Sequence, residues 1–316
     1  MSALVEIPSY LQAIERIKAC HETFRSDTGP MNMRLLGQSG MGKTFFLRAY
    51  RKLHPPRDGE LGRQVPVALV TIPSAPTVKS FYQAILESLG VHGARGTTDA
   101  LRYRAKFLSE KCGVELFLID ELNHLTDRGS LPTRLTVSDA LKELLDTLNR
   151  PAVFAGAPRS HVIFDTNMQL RSRVMATLSL RPFNIDARLA ELTGFLHGLA
   201  GHHINEQAAI QLTRSDEIVA RIFFATDGVP RHIVRFVERV AYALKQGAGS
   251  LDTALLGRIF QGYFWEQAPP HLNPFDQNFP MRRLCEPKEP YAPSILDGDN
   301  HLLWGSISTE SRGIRA

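Results

Sequence analysis

Eight residues limit this chain more than any others: GQSGMGKT, Gly37 to Thr44. They fit the pattern G-x-x-x-x-G-K-[ST]. The apolar stretch Met33-Arg34-Leu35-Leu36 runs into them, and FFLRAYRKL, Phe45 to Leu53, follows with apolar residues at helical spacing. A strand, a tight turn and a helix start are the setting that a phosphate-binding loop demands. Gly37, Gly40 and Gly42 let the backbone curl so that successive N–H groups face one anion. The helix beginning near Lys43 adds its partial positive end. The candidate nucleotide-binding residues are therefore Gly37, Gln38, Ser39, Gly40, Met41, Gly42, Lys43 and Thr44. Lys43 would meet the β- and γ-phosphates of ATP, and the Thr44 hydroxyl would ligate Mg²⁺.

A second feature completes such a site. Val114 to Ile119 is an apolar strand ending in Asp120-Glu121. In a parallel sheet the strand delivers both carboxylates to the carboxyl edge, where ligands bind. Asp120 would hold Mg²⁺, and Glu121 would take a proton from the attacking water. Asn123 and His124 follow; they are candidates to sense the γ-phosphate or the state of a partner, against a reading as a polar loop beyond the strand, which suits His124 better.

Further strands are expected at Val65–Val70, Pro151–Gly156 and Ala176–Leu180, with helices at Ile7–Phe24, Val78–Leu89, Asp99–Lys111 and Val137–Leu148, and a helical piece from His161 to Arg173. His54 to Gln64 reads as a polar hinge. Strands alternating with helices predict a parallel α/β sheet. After Ile185 the strand signals stop. Helices are expected at 186–199, 206–212, 217–226, 230–246 and 253–267. Beyond Gln267, seven prolines interrupt any period, which predicts an extended or flexible tail. Its aromatic islands, Phe275 with Phe279 and Leu302-Leu303-Trp304, either dock partners or pack back on their own domain.

Composition narrows the class. Of 316 residues, 43% are hydrophobic and 22% charged, as in a soluble globular protein, with no run long enough to span a membrane. The three cysteines, Cys20, Cys112 and Cys285, form no C-x-x-C pair, and the N-terminus has no basic segment leading into an apolar one. A reducing cytoplasm is the expected setting. The net charge of +5 permits a polyanionic partner.

Seven blocks in order carry a resemblance: IPSYLQAIERI, MRLLGQSGMGKT, VTIPSAPTVKSFYQAIL, LFLIDELNHL, FAGAPRS, NMQLRSRV with RPF, and TDGVPRHI. Together they resemble an AAA+ ATPase, and more closely the TniB/TnsC family of ATP-dependent regulators of bacterial transposition. The resemblance covers about Ile7 to Arg235. It implies an α/β AAA+ P-loop core over 30–184 with a parallel central sheet, preceded by a helical segment, 1–29. An α-helical lid, 185–266, and the Pro-rich tail, 267–316, follow. It implies an ATPase that self-assembles as a ring or helical filament on double-stranded DNA without sequence preference. Such a protein would link a TniQ-like target selector to a DDE transposase. An arginine from one subunit would complete the next subunit's site: Arg173 by position, with Arg171 beside it. Arg231, in GVPR at a helix start, would reach the γ-phosphate. The strand-end position that usually carries a polar sensor is Gly156-Ala157 here. No separate DNA-reading module is visible, so Lys79 and Thr97, at two helix starts, are the candidate DNA contacts. Two other functions remain open: a replication-initiator or helicase-loader ATPase, and a small-molecule kinase. The first would carry a helix-turn-helix after the lid, and the second an acceptor pocket.

Overall fold

The structure is a computed structural model. It describes residues 7–27, 29–60, 62–127, 131–165 and 167–292. Contacts divide the chain into an α/β unit, Ser9–Leu180, and a helical unit from Arg181 onward that also takes residues 7 and 8.

In the α/β unit, α1 (Pro8–Glu22) precedes β1 (Met33–Leu36) and α2 (Lys43–Leu53). A hairpin of β2 (Arg57–Gly59) and β3 (Gly62–Gln64) leads to β4 (Val67–Thr71). Then come α3 (Val78–Ser88), α4 (Thr98–Lys111), β5 (Leu116–Asp120), α5 (Leu131–Leu148) and β6 (Ala152–Gly156). Two short helices, α6 (His161–Asp165) and α7 (Met168–Arg173), precede β7 (Ala176–Ser179). Five strands pair in parallel in the order β4-β5-β6-β1-β7.

Strand alternation explains the two cores. Val67, Leu116, Leu118, Val153, Ala155 and Leu35 point to one face, where they meet α1 and α2 through Ile17, Phe46 and Leu47. Ala68, Val70, Phe117, Ile119 and Phe154 point to the other, against α3, α4, α5 and α6. Burial on both faces is why these strands read as continuous apolar runs. The N-terminal helix is thus part of the α/β core and not a separate segment: Ala13, Ile17 and Cys20 are buried in it. In its last turn, buried His21 bonds Tyr50 Oη (2.9 Å) and Glu115 Oε2 (3.1 Å), and burial lowers its pKa.

The expected hinge at 54–64 is the β2–β3 hairpin, almost wholly exposed. Without a buried face it shows no alternation to read.

The helical unit holds α8 (Ile185–His203), α9 (Glu206–Leu212), α10 (Asp216–Thr226), α11 (Pro230–Lys245) and α12 (Thr253–Tyr263). Asn184, Asn205, Ser215 and Asp252 cap four of them with side-chain oxygens on backbone N–H groups. The boundary falls slightly earlier than expected. Phe183 donates its N–H to Gly228 O (2.9 Å) and stacks on Phe195. Gly228 has φ +63°, and a Cβ there would sit 2.6 Å from Phe183 O, so only glycine fits that turn.

The expectation of an extended tail from 267 fails for residues 267–292. They form a strap, with a single turn of 3₁₀ helix at Pro270–Leu272, that closes over α10, α11 and α12. Phe275, Phe279 and Leu284 are buried. Phe275 stacks on Phe236, and Phe279 meets Phe224. Arg221 donates to Pro274 O (2.6 Å) and Asp276 O (2.7 Å). Arg283 grips Asp227 with two 2.7 Å bonds. Tyr291 Oη donates to Ala225 O, and its ring stacks on His232. The Phe275 and Phe279 island is therefore occupied within its own unit. Leu302-Leu303-Trp304 lies outside the described residues.

Candidate nucleotide site

Strand order locates the site. β1 lies between β6 and β7, and the chain leaves it through α2 to reach β4 at the far edge. The order reverses beside β1, and the crevice at such a reversal, at the carboxyl edge, is where α/β sheets bind ligands. Gly37 to Gly42 occupy that edge, with the Gly37 N–H bonded to Gly156 O of β6 (3.1 Å). Gly40 and Gly42 have φ of 87° and 86°, the left-handed turns that the pattern's glycines predict. Gly42 is the N-cap of α2, so Lys43 and Thr44 open a helix whose N–H groups and dipole face the loop. The Lys43 ammonium folds over this loop, donating to Gly37 O (2.6 Å) and Gln38 O (2.9 Å).

Asp120 ends β5, two strands from β1. It is buried, and burial pushes its carboxyl pKa up against a hydrogen bond from Thr44, which pulls it down. That bond brings the hydroxyl of α2 and the carboxylate of β5 together. Hard oxygen donors, one hydroxyl and one carboxylate, fit Mg²⁺, which takes few protein ligands and completes its shell with water and phosphate.

Glu121 follows in an unusual conformation, φ 60° and ψ 39°, a left-handed state that costs a non-glycine residue roughly 1–2 kcal/mol. Its N–H donates to Asp120 Oδ1 (2.9 Å). Its Oε2 accepts from Asn123 Nδ2 at 3.3 Å. Asn123 Oδ1 in turn accepts the backbone N–H of Ala157, just past β6, at 3.3 Å. Asp127 and Arg159 bridge the same two loops, through bonds of 2.7 and 3.0 Å. The Arg159 guanidinium holds the Asp127 carboxyl below its usual range. His124 Nδ1 lies 2.8 Å from Ile72 O. A carbonyl only accepts, so Nδ1 carries the proton, and the ring ties this loop to the end of β4.

The other expected site residues belong to other elements. Arg173 ends α7 and is ion-paired with Asp146 of α5. Arg171 is exposed and has no ion-pair partner among the described residues. Lys79 is exposed in the first turn of α3. Thr97 is exposed and caps α4, accepting the Ala100 N–H at 3.2 Å. Arg231 is exposed at the second residue of α11, in the helical unit. The sequence did not reveal the bridging by Asn123, the Asp127–Arg159 pair or the Asp146 partner. Each joins residues far apart in the chain, and no spacing rule marks them.

The crystal structure of Cdc6p from Pyrobaculum aerophilum is similar, with a TM-score of 0.56 at 15% identity, covering 80% of this chain and 67% of that one. Domain III of the replication initiation protein DnaA from Thermotoga maritima gives 0.49 at 14% identity, covering 82% and 94%. No curated protein sequence matches this one. The sheet and its phosphate loop, with a helical C-terminal region, are those of an AAA+ P-loop ATPase. No described helix is long and apolar enough to cross a membrane. The profile of the family described as "TniB: Bacterial TniB protein" matches residues 2–183, more than half of the chain and the whole α/β unit, so the chain belongs to the TniB family.

Proposed function

We propose that this protein is an ATP-hydrolysing regulator of DNA transposition. It assembles on double-stranded DNA and links a TniQ-like selector to a DDE transposase. The observation that carries the ATPase part is the convergence of Lys43, Thr44, Asp120 and Glu121 at one sheet edge. Family membership supports the rest.

In the proposed reaction the water oxygen attacks the γ-phosphorus, and its proton passes to the Glu121 carboxylate. The bond to the bridging oxygen breaks, and its electron pair leaves with ADP. Lys43 offsets charge on the phosphates, and the loop N–H groups hold them in line. Thr44 and Asp120 would hold Mg²⁺, which when bound supplies further charge neutralisation. Arg231 and a trans-acting Arg173 or Arg171 would contribute positive charge to the γ-phosphate.

The test separates binding from hydrolysis. Lys43→Ala is expected to lose ATP binding. Glu121→Gln is expected to bind ATP normally and hydrolyse it about 10²–10⁴-fold more slowly. Its assemblies on duplex DNA, viewed by electron microscopy, then persist. Hydrolysis by Glu121→Gln at the parental rate removes the general-base role. Absence of ATP-dependent assemblies on DNA removes the regulator reading.

A further inference from the structure

We infer that Asn123 is a positioning residue for hydrolysis: its amide aims the Glu121 carboxylate and anchors that aim to the end of β6. This rests on the reading of Glu121 as the base.

Two bonds of Asn123 meet across its amide, which also hydrogen-bonds the Asp127 carboxylate. Its carbonyl oxygen accepts the Ala157 N–H, which fixes the amide's orientation, because only Oδ1 can accept there. Nδ2 is thereby turned to Glu121 Oε2, 3.3 Å away. Glu121 needs such a guide. Its backbone is already left-handed, and its side chain is about 40% exposed, so no packing locks its rotamer. His124 Nε2 lies 4.0 Å from the same oxygen, beyond hydrogen-bond distance.

The anchor is firm. Ala157 follows β6, whose last residue Gly156 receives the phosphate loop's Gly37 N–H. The Asp127–Arg159 pair clamps the two loops a turn further on. A single asparagine thus connects the water-activating carboxylate to the strand beside the phosphate loop. Ala157 has no polar side chain, and its backbone N–H is the group that takes part. A shift of the loop after β6 moves the amide, and the amide moves the carboxylate. The device acts on the rate of the chemical step and not on nucleotide binding, because neither bond touches Gly37 to Thr44.

Three variants of the full chain test this, each measured for steady-state ATP hydrolysis, equilibrium ATP affinity and thermal midpoint. Asn123→Ala removes the bonds to Glu121, Ala157 and Asp127. Its kcat is expected to fall about 10–100-fold, the scale for a misaimed catalytic group, with ATP affinity unchanged. Asn123→Asp is isosteric and still accepts from Ala157, but it cannot donate to Glu121. Its kcat is expected to fall at least as far with ATP affinity unchanged, and the midpoint reads the separate cost of a carboxylate beside Glu121 and Asp127. The double variant Glu121→Gln/Asn123→Ala is expected to be no slower than Glu121→Gln alone, since the aim of an inert group is irrelevant. Parental kcat in Asn123→Asp, or losses that multiply in the double variant, overturn the proposal. A parental rate in Glu121→Gln overturns instead the reading on which it rests.

Discussion

Arg173 and Arg171 stand two residues apart on α7 and meet different surroundings. Arg173 is tied within its own chain to Asp146, and its carbonyl accepts from Asn32 Nδ2 (3.1 Å). An arginine that completes a neighbour's site must first leave such a partner. Both side chains are partly exposed, so the pair is worth only about 0.2–1 kcal/mol. Asp146→Asn is therefore expected to lower the protein concentration needed for ATP-dependent assembly by roughly 1.4- to fivefold. Arg173→Ala is expected to bind ATP yet fail to assemble, and to regain hydrolysis when mixed with Lys43→Ala subunits. Light scattering against protein concentration, with ATP turnover of the mixtures, measures both. If Arg171→Ala is the variant that fails and Arg173→Ala assembles normally, the finger is Arg171.

The strap is the element whose role most changes the reading of the chain. Phe275, Phe279 and Leu284 each gain about 1.5–3 kcal/mol by burial. The Arg283–Asp227 pair is mostly buried, with side-chain exposures of 17% and 6%. Removing one member strands the other charge, at a cost of about 3–5 kcal/mol. Arg283→Ala is thus expected to lower the stability of the helical unit by that amount. Asp227→Asn in the same chain should recover part of it, since no charge is then stranded. Chemical denaturation followed by far-UV circular dichroism checks this, and a change below about 0.5 kcal/mol in Arg283→Ala would refute it. Truncation after Gln267 removes the same contacts and is expected to destabilise the helices. Little of this was legible in the sequence. Strands buried on both faces, the phosphate loop and the amphipathic α11 announce themselves locally, by run, pattern or period. The strap has no period, because its partners lie on distant helices, as with Phe275 and Phe236 or Tyr291 and Ala225. The hairpin at 57–64 has no buried face to create alternation. At the site, residue types were legible from the motifs. The left-handed turn at Glu121 and the amide bridge through Asn123 depend on how two loops meet, and were not.

At the scale of the whole molecule, a net charge of +5 and two exposed helix starts support DNA contact from the α/β unit itself. α3 leaves the carboxyl end of β4, and α4 ends just before the amino end of β5, so both helices start toward the carboxyl edge. Affinity for duplexes is expected to be indifferent to sequence and to fall steeply with salt. Lys79→Ala should reduce the slope of log affinity against log salt by about 0.9 for every duplex tested. An unchanged slope excludes Lys79. Thr97→Ala needs a stability control, because loss of the α4 cap alone costs about 1 kcal/mol. The two units also differ in when their contacts become available. Ser9–Leu180 is contiguous in the chain. The helical unit instead waits for Arg283 and Tyr291, near the end of the described residues. At about 5–20 residues per second of synthesis, the strap emerges roughly 6–20 s after β7. On the ribosome, the unit with the phosphate loop can close early, while Asp227 stays without its arginine. The strap, made after every helix it covers, finishes their packing.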